Sequence, residues 1–226
     1  MFMDLEQNGY SIVHGVLSAG QLVELRESIE PLLKANPSAG IRGLAVKVPS
    51  VRVLSESKSV RALVEPVIGS GARLIRSVLF NKNQETNWQV AWHQDLAIAV
   101  QDQKEVEGFV SWSVKEGVAH VQPPVEVLEK MLTVRLHLDN ADENNGALWV
   151  SPGSHRFGRI PAGEAAAVAE RLGKRLCAVQ VGDAHLFRPL VLHASRKAVS
   201  NDPRRVIHLE FAGVSLPEPL AWHDAA

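Results

Sequence analysis

Trp92-His93-Gln94-Asp95 places an imidazole and a carboxylate two residues apart. On a strand, or at its exit, side chains two apart point the same way, so His93 and Asp95 can address one atom. A third donor has to come from elsewhere, and His193 stands at the end of the apolar run from Ala184 to Leu192. Two imidazoles and one carboxylate on one face of an iron leave three positions open, the arrangement that non-haem Fe(II) oxygenases need. His-x-Asp alone is equally compatible with a surface turn. The late histidine and the basic strand after it, with Arg204 and Arg205, make the pattern specific.

At 226 residues the chain is long enough to bury one large core, and it reads as a single domain over residues 1–226. Hydrophobic residues at 46% and charged residues at 22% describe a globular protein. With 24 Lys+Arg against 25 Asp+Glu, the net charge of −1 suggests neither nucleic acid nor an anionic membrane as partner. No apolar run approaches the length that spans a bilayer. The acidic start at Asp4 and Glu6 lacks a secretory pattern, and Cys177, the only cysteine, excludes an internal disulfide. Both fit a cytoplasmic protein. Cys177 itself reads as a small buried hydrophobe in a strand from Leu176 to Val181.

The positioning elements follow from periodicity. Tyr10 to Val13 reads as a short strand. Ser18-x-x-Gln21 is a capping box that starts a helix with Leu22, Leu25, Ile29, Leu32 and Leu33 on one face, kinked or shortened at Pro31. A second helix is expected from Val53 to Val67, ended by Gly69-Ser70-Gly71. From Ala72 the period becomes two: one strand runs to Asn81, and another leads through Gln89-Val90-Ala91 into His-x-Asp. Leu96 to Pro124 has no clear periodicity, and its place directly after Asp95 suggests a lid, or an insertion with its own short helix. Val125 to Lys130 reads as a turn or two of helix. Leu132, Val134, Leu136 and Leu138 then alternate with Thr133, Arg135, His137 and Asp139, giving one apolar and one polar face. The polar face either meets solvent or lines the interior of a jelly roll. A polar turn, the strand Ala147 to Val150, a helix from Gly163 to Leu172 and a Gly182-Asp183 turn complete the path to His193.

Adjacent side chains on a strand face opposite ways, so one of Arg204 and Arg205 points inward. Arg205 shares a face with Ile207, Leu209 and Phe211, whereas Arg204 shares one with Val206, His208 and Glu210. The second set matches the polar face of the Thr133–Asp139 strand and puts Arg204 inside. Among the remaining histidines, His14 and His223 are expected at the surface. His155 is expected in a structural hydrogen bond, and His185 as a satisfied core residue. Arg135 and His137 on the polar face, with Trp112 and His120 in the segment after Asp95, are candidate substrate contacts. Asn87-Trp88 is a candidate pocket wall.

Together, Trp92-His93-Gln94-Asp95, Asn145-Gly146-Ala147-Leu148, Pro152-Gly153-Ser154-His155 and His193-Ala194-Ser195, with Arg204 eleven residues after the histidine, resemble the phytanoyl-CoA dioxygenase family. The resemblance runs from the Gly9-Tyr10 strand to about Phe211. It implies a double-stranded β-helix (jelly roll), mainly β, with N-terminal helices packed on the outer face of one sheet. It also implies Fe(II) held by His93, Asp95 and His193, O2, and 2-oxoglutarate with its far carboxylate on Ser195 and Arg204. An arginine fork suits that carboxylate better than a lysine does. Arg135 lies near a position that is aromatic in the phytanoyl-CoA enzyme, and no feature is dedicated to coenzyme A. The expected activity is hydroxylation of a small metabolite with release of succinate and CO2. Oxidative cyclisation or desaturation is the alternative with the same cofactors. Halogenation is disfavoured because Asp95 occupies the position a halide would need. A metal-binding jelly roll without oxygenase activity is the more distant alternative.

Overall fold

The computed structural model describes residues 1–223. It opens with a helix the sequence reading did not anticipate, α1 (Phe2–Asn8), ended by Gly9 in the left-handed conformation at φ 79°. Strand β1 (Tyr10–Val13) follows, then α2 (Ala19–Ala35), whose capping box forms: Gln21 N–H donates to Ser18 Oγ, and Ser18 N–H to Gln21 Oε1. Pro31 does not shorten α2, because Leu32 and Leu33 beyond it still pack on the core. After β2 (Gly40–Arg42) and α3 (Leu44–Lys47), the single helix expected over 53–67 is two. These are α4 (Pro49–Ser55) and α5 (Lys58–Ile68), separated where Ser57 turns extended and caps α5 through Val60 N–H.

Strands β3 (Arg73–Lys82) and β4 (Val90–His93) come next. The segment after Asp95, expected to lack regular structure or to carry a short helix, contains β5 (Ile98–Val100), β6 (Val110–Lys115) and β7 (Val118–Gln122). They form a separate antiparallel sheet ordered β5-β7-β6. Then follow α6 (Val125–Leu128), β8 (Met131–His137), β9 (Leu148–Val150), a 3-10 turn (Ser154–Phe157) and α7 (Ala165–Leu172). The last strands are β10 (Arg175–Cys177), β11 (Ala184–Phe187), β12 (His193–Ser195) and β13 (Arg204–Ala212). None of the described helices is long and apolar enough to cross a membrane.

Two antiparallel sheets make the jelly roll: a larger one ordered β1-β11-β8-β13-β3-β2 and a smaller one ordered β10-β9-β12-β4. Leu132, Val134 and Leu136 of β8 and Ile207, Leu209 and Phe211 of β13 form the outer face of the larger sheet. The N-terminal helices cover it with Leu25, Ile29, Val51, Leu54, Val60 and Leu63. Each aliphatic side chain so buried contributes about 1.5–3 kcal/mol. Of the two possibilities for the polar face of β8, the interior holds: Thr133, Arg135 and His137 are as buried as their aliphatic neighbours.

Enclosing that face has a cost. His185, across from Arg135 on β11, has no partner for Nε2 among the described residues, so it is not the satisfied core histidine expected. It packs edge-on against Tyr10, and burial pushes its pKa down to about 3. The unfolded chain therefore takes up a proton near pH 6.5 that the folded chain refuses until about pH 3. Stability should fall across that window as pH drops. His185→Phe should flatten part of this slope in thermal melts between the two values. An unchanged slope would show that other groups set it.

Candidate active site

His93 is the last residue of β4 and pairs with His193, the first residue of β12. Asp95 follows just beyond the strand, where its N–H donates to Pro189 O (2.9 Å). Its carboxylate oxygens lie 3.8 Å from His93 Nε2 and 3.6 Å from His193 Nε2. All three donor atoms fall within 4.8 Å of one another. Both imidazoles are turned by backbone carbonyls: His93 Nδ1–H donates to Ala91 O (2.9 Å) and His193 Nδ1–H to Val191 O (3.0 Å). With the protons on Nδ1, both Nε2 lone pairs face Asp95. Burial lowers the His193 pKa and keeps its ring neutral. Burial pushes Asp95 up, but His193, His93, His208 and Arg76 more than reverse it, so the carboxylate stays ionised. Two Nε2 lone pairs and one carboxylate converging on a point suit Fe(II).

Behind the triad lies a cavity of about 90 Å³ lined by Arg76, Phe80, Trp88, Val90, Arg135, Leu148, Ser195, Arg204 and His208. Arg204 is 2% exposed, makes no ion pair among the described residues, and leaves Nε and Nη1 without partners. Burial, aided by Arg135, lowers its pKa to about 9. Arg205 faces the other way and forks onto Asp139, with Nε–Oδ2 at 2.8 Å and Nη2–Oδ1 at 2.7 Å. Opposite Arg204 on β3 stands Lys82, 1% exposed, which the sequence reading missed because it ended the strand at Asn81. Lys82 Nζ donates to Ser195 Oγ (3.0 Å) and Arg196 O (2.7 Å), and Ser195 Oγ donates to Gly146 O (2.9 Å). Gly146 must be glycine: its φ is 79°, and a Cβ would meet Arg196 O and Lys82 Nζ at 2.8 Å.

A family model for phytanoyl-CoA dioxygenase (PhyH) matches residues 5–206. The chain belongs to that family. Membership places it among the 2-oxoglutarate-dependent dioxygenases, enzymes that work with Fe(II). Solved structures of similar fold include EctD from S. alaskensis with 2-oxoglutarate and 5-hydroxyectoine, at 19% identity and TM-score 0.73, covering 93% of this chain and 74% of that one. Others are AviO1 from Streptomyces viridochromogenes Tue57 (19%, TM-score 0.71, 96% and 95%) and the carbocyclase SnoK from nogalamycin biosynthesis (16%, 0.71, 93% and 82%).

In this dioxygenase the four candidate substrate contacts separate. Arg135 lines the cavity behind the triad. His137 is buried beside it in the sheet, with neither ring nitrogen partnered among the described residues, and does not line that cavity. Trp112 packs against the apolar cluster around Ile98 and Phe109. His120 is buried in the wall of a second cavity, about 330 Å³, with Arg42, Lys47, Arg76, Glu116 and His223. His223 is thus half-buried at a cavity rather than at the surface, whereas His14 is exposed. His155 makes its expected hydrogen bond, from Nε2–H to Glu6 O (3.2 Å). Trp88 lines the inner cavity, and Asn87 instead ties the chain to Ala198.

Two further residues hold the triad in place. Ser154 Oγ accepts from Leu192 N–H (2.8 Å), fixing the residue before His193. Gln94, 8% exposed, points away from the metal site and donates to Gly158 O (2.8 Å) and Leu190 O (2.7 Å) while accepting from Ile160 N–H (2.8 Å). Nothing in the residue pattern announces such backbone partners. Gln94→Ala should strip all three and destabilise the fold by about 2–4 kcal/mol. It should also loosen metal affinity by about 10–100-fold, as lost outer-shell support does. Wild-type metal affinity with lowered stability would make Gln94 a purely structural residue.

Proposed function

We propose that the whole chain acts as one oxygenase domain that oxidises a C–H bond of a small metabolite at His93, Asp95 and His193. Turnover would consume 2-oxoglutarate and O2 and release succinate and CO2. The observation that carries this reading is the convergence of two preset Nε2 lone pairs and one carboxylate above a cavity that ends in an unpaired arginine. With Fe(II) and 2-oxoglutarate bound, the centre supplies O2-dependent oxidation coupled to decarboxylation of the keto acid.

The chain's own residues do the positioning. His93, Asp95 and His193 would hold the metal, and Arg204, beside Ser195 and Lys82, would hold the far carboxylate of the keto acid. Phe80, Trp88, Val90 and Leu148 line the space between them and keep it poor in water. Substrate would enter through the second cavity, which shares Arg76 with the first. Its volume suits a small metabolite. Of its lining cations Arg42 pairs with Glu116 and Arg76 with Glu210, and Lys47, without an acidic partner among the described residues, favours a substrate bearing a negative charge. The Arg42–Glu116 ion pair ties β2 to the tip of the β6–β7 hairpin and supports a covering role for that sheet.

Hydroxylation is the first reading. The likeness to the carbocyclase SnoK supports a second, ring closure or desaturation at the same centre, with the outcome set by how the substrate carbon is held. Succinate release by the Fe(II)-loaded protein, assayed over a panel of carboxylate-bearing metabolites, tests the proposal. Asp95→Ala should abolish release, a loss larger than the roughly 10–100-fold expected for an outer-shell change, while its circular dichroism stays native. Wild-type release by Asp95→Ala at saturating Fe(II) would sink it.

A further inference from the structure

The inner face of the larger sheet carries more buried positive charge than its carboxylates can balance. Arg204, Arg135 and Lys82 are 2%, 6% and 1% exposed, and among the described residues none of them has an acidic partner. Of the interior carboxylates, Asp95 is turned to the triad. Glu210 is held by Arg76 Nη1 (2.6 Å) and His208 Nε2 (2.8 Å). Buried charges in folded proteins are otherwise paired. Two guanidiniums without an acidic partner among the described residues line one cavity, with the Lys82 amine beside Arg204, and therefore point to a ligand with more than one negative charge.

Arg135 stands apart from the Arg204 end. It lies on β8 opposite His208 of β13, and Arg204 is four residues back along β13, roughly 13 Å of strand. Its guanidinium sits 5.3 Å from the centre of the Phe80 ring, and the His208 ring packs at the same distance against Phe80. Arg135 and Arg204 thus line the same cavity as the triad at separate points along the sheet. The groups around it are His185 on β11, His208 on β13 and Phe80 on β3, with the Asp95 carboxylate of the triad across the same cavity; among the described residues no acid pairs with it and its Nε has no partner. A far carboxylate on Arg204 also has Lys82 Nζ beside it, so that end needs no further cation. A keto acid chelating a metal uses one oxygen of its near carboxylate and leaves the other free to accept a hydrogen bond.

We infer that Arg135 is a second anion site in this cavity and binds the 2-oxoglutarate carboxylate next to the keto group, while Arg204 binds the distal one. This rests on the function proposed above. The two guanidiniums would then select a short dianionic keto acid lying lengthwise between them.

Calorimetric titration of the Mn(II)-loaded protein with 2-oxoglutarate and with 2-oxobutyrate, which lacks the distal carboxylate, separates the two arginines. Arg135→Gln should weaken both keto acids by roughly tenfold or more, since each has the near carboxylate. Arg204→Gln should weaken 2-oxoglutarate and leave 2-oxobutyrate unchanged. Arg135→Lys, which keeps the charge, should retain more 2-oxobutyrate binding than Arg135→Gln and covers poor folding of the latter. Removing an unpaired buried cation should also raise the melting midpoint of ligand-free Arg135→Met above wild type. If Arg135→Gln weakens 2-oxoglutarate alone, or neither keto acid, the inference is overturned. A lower midpoint for Arg135→Met with wild-type keto acid affinity would overturn it too, by making Arg135 structural. Wild-type protein that binds neither keto acid would overturn both this inference and the proposed function.

Discussion

Arginine, lysine and histidine side chains occupy one face of a sheet whose other face is packed with Leu, Val and Ile, and both faces are dry. Drying a cation without a counter-charge costs several kcal/mol, so it has to be offset elsewhere. The offset comes from the outer face, where the N-terminal helices bury a continuous aliphatic layer against β8 and β13. The same strands therefore do two things through period-two alternation: odd and even residues of β8 and β13 carry stability on one side and the binding chemistry on the other. A one-residue slip of β13 would exchange Arg204 for Arg205 and leave Asp139 without its bidentate partner.

The smaller sheet supplies the histidines of the candidate metal triad. Its antiparallel pairing of β4 with β12 sets His93 directly across from His193, so residues far apart in sequence become neighbours through one register. Backbone carbonyls then fix the tautomers, and the loop after His93 is pinned by Gln94 and by Asp95 N–H. The site thus depends on main-chain geometry that is set before any ligand arrives. The belonging of the chain to the phytanoyl-CoA dioxygenase family fits this order of construction.

What could be read from sequence was what residue type and parity encode. His93, Asp95 and His193 could be singled out by donor type and spacing, and the fold brings the three together. Arg204 was separable from Arg205 because its face carries His208 and Glu210. Lys82 escaped because a strand end misplaced by one residue hid its inward parity. Gln94 escaped because its partners are carbonyls and an amide of distant loops, Gly158, Leu190 and Ile160, which leave no periodic trace. The β5-β7-β6 sheet escaped for a different reason: β5 is three residues long, and β6 is largely exposed, so neither alternates cleanly. Helix α1 has one buried residue, Leu5, which is too few to make a face.

The central claim is that His93, Asp95 and His193 hold one iron, through Nε2 of each histidine. Crystals grown with Fe(II) without oxygen, with anomalous data collected at the iron edge, test it most directly. One strong peak within bonding distance of both Nε2 atoms and the Asp95 carboxylate is the predicted result. A principal peak elsewhere, or ligation through Nδ1 with the carbonyl hydrogen bonds of His93 and His193 broken, would contradict it.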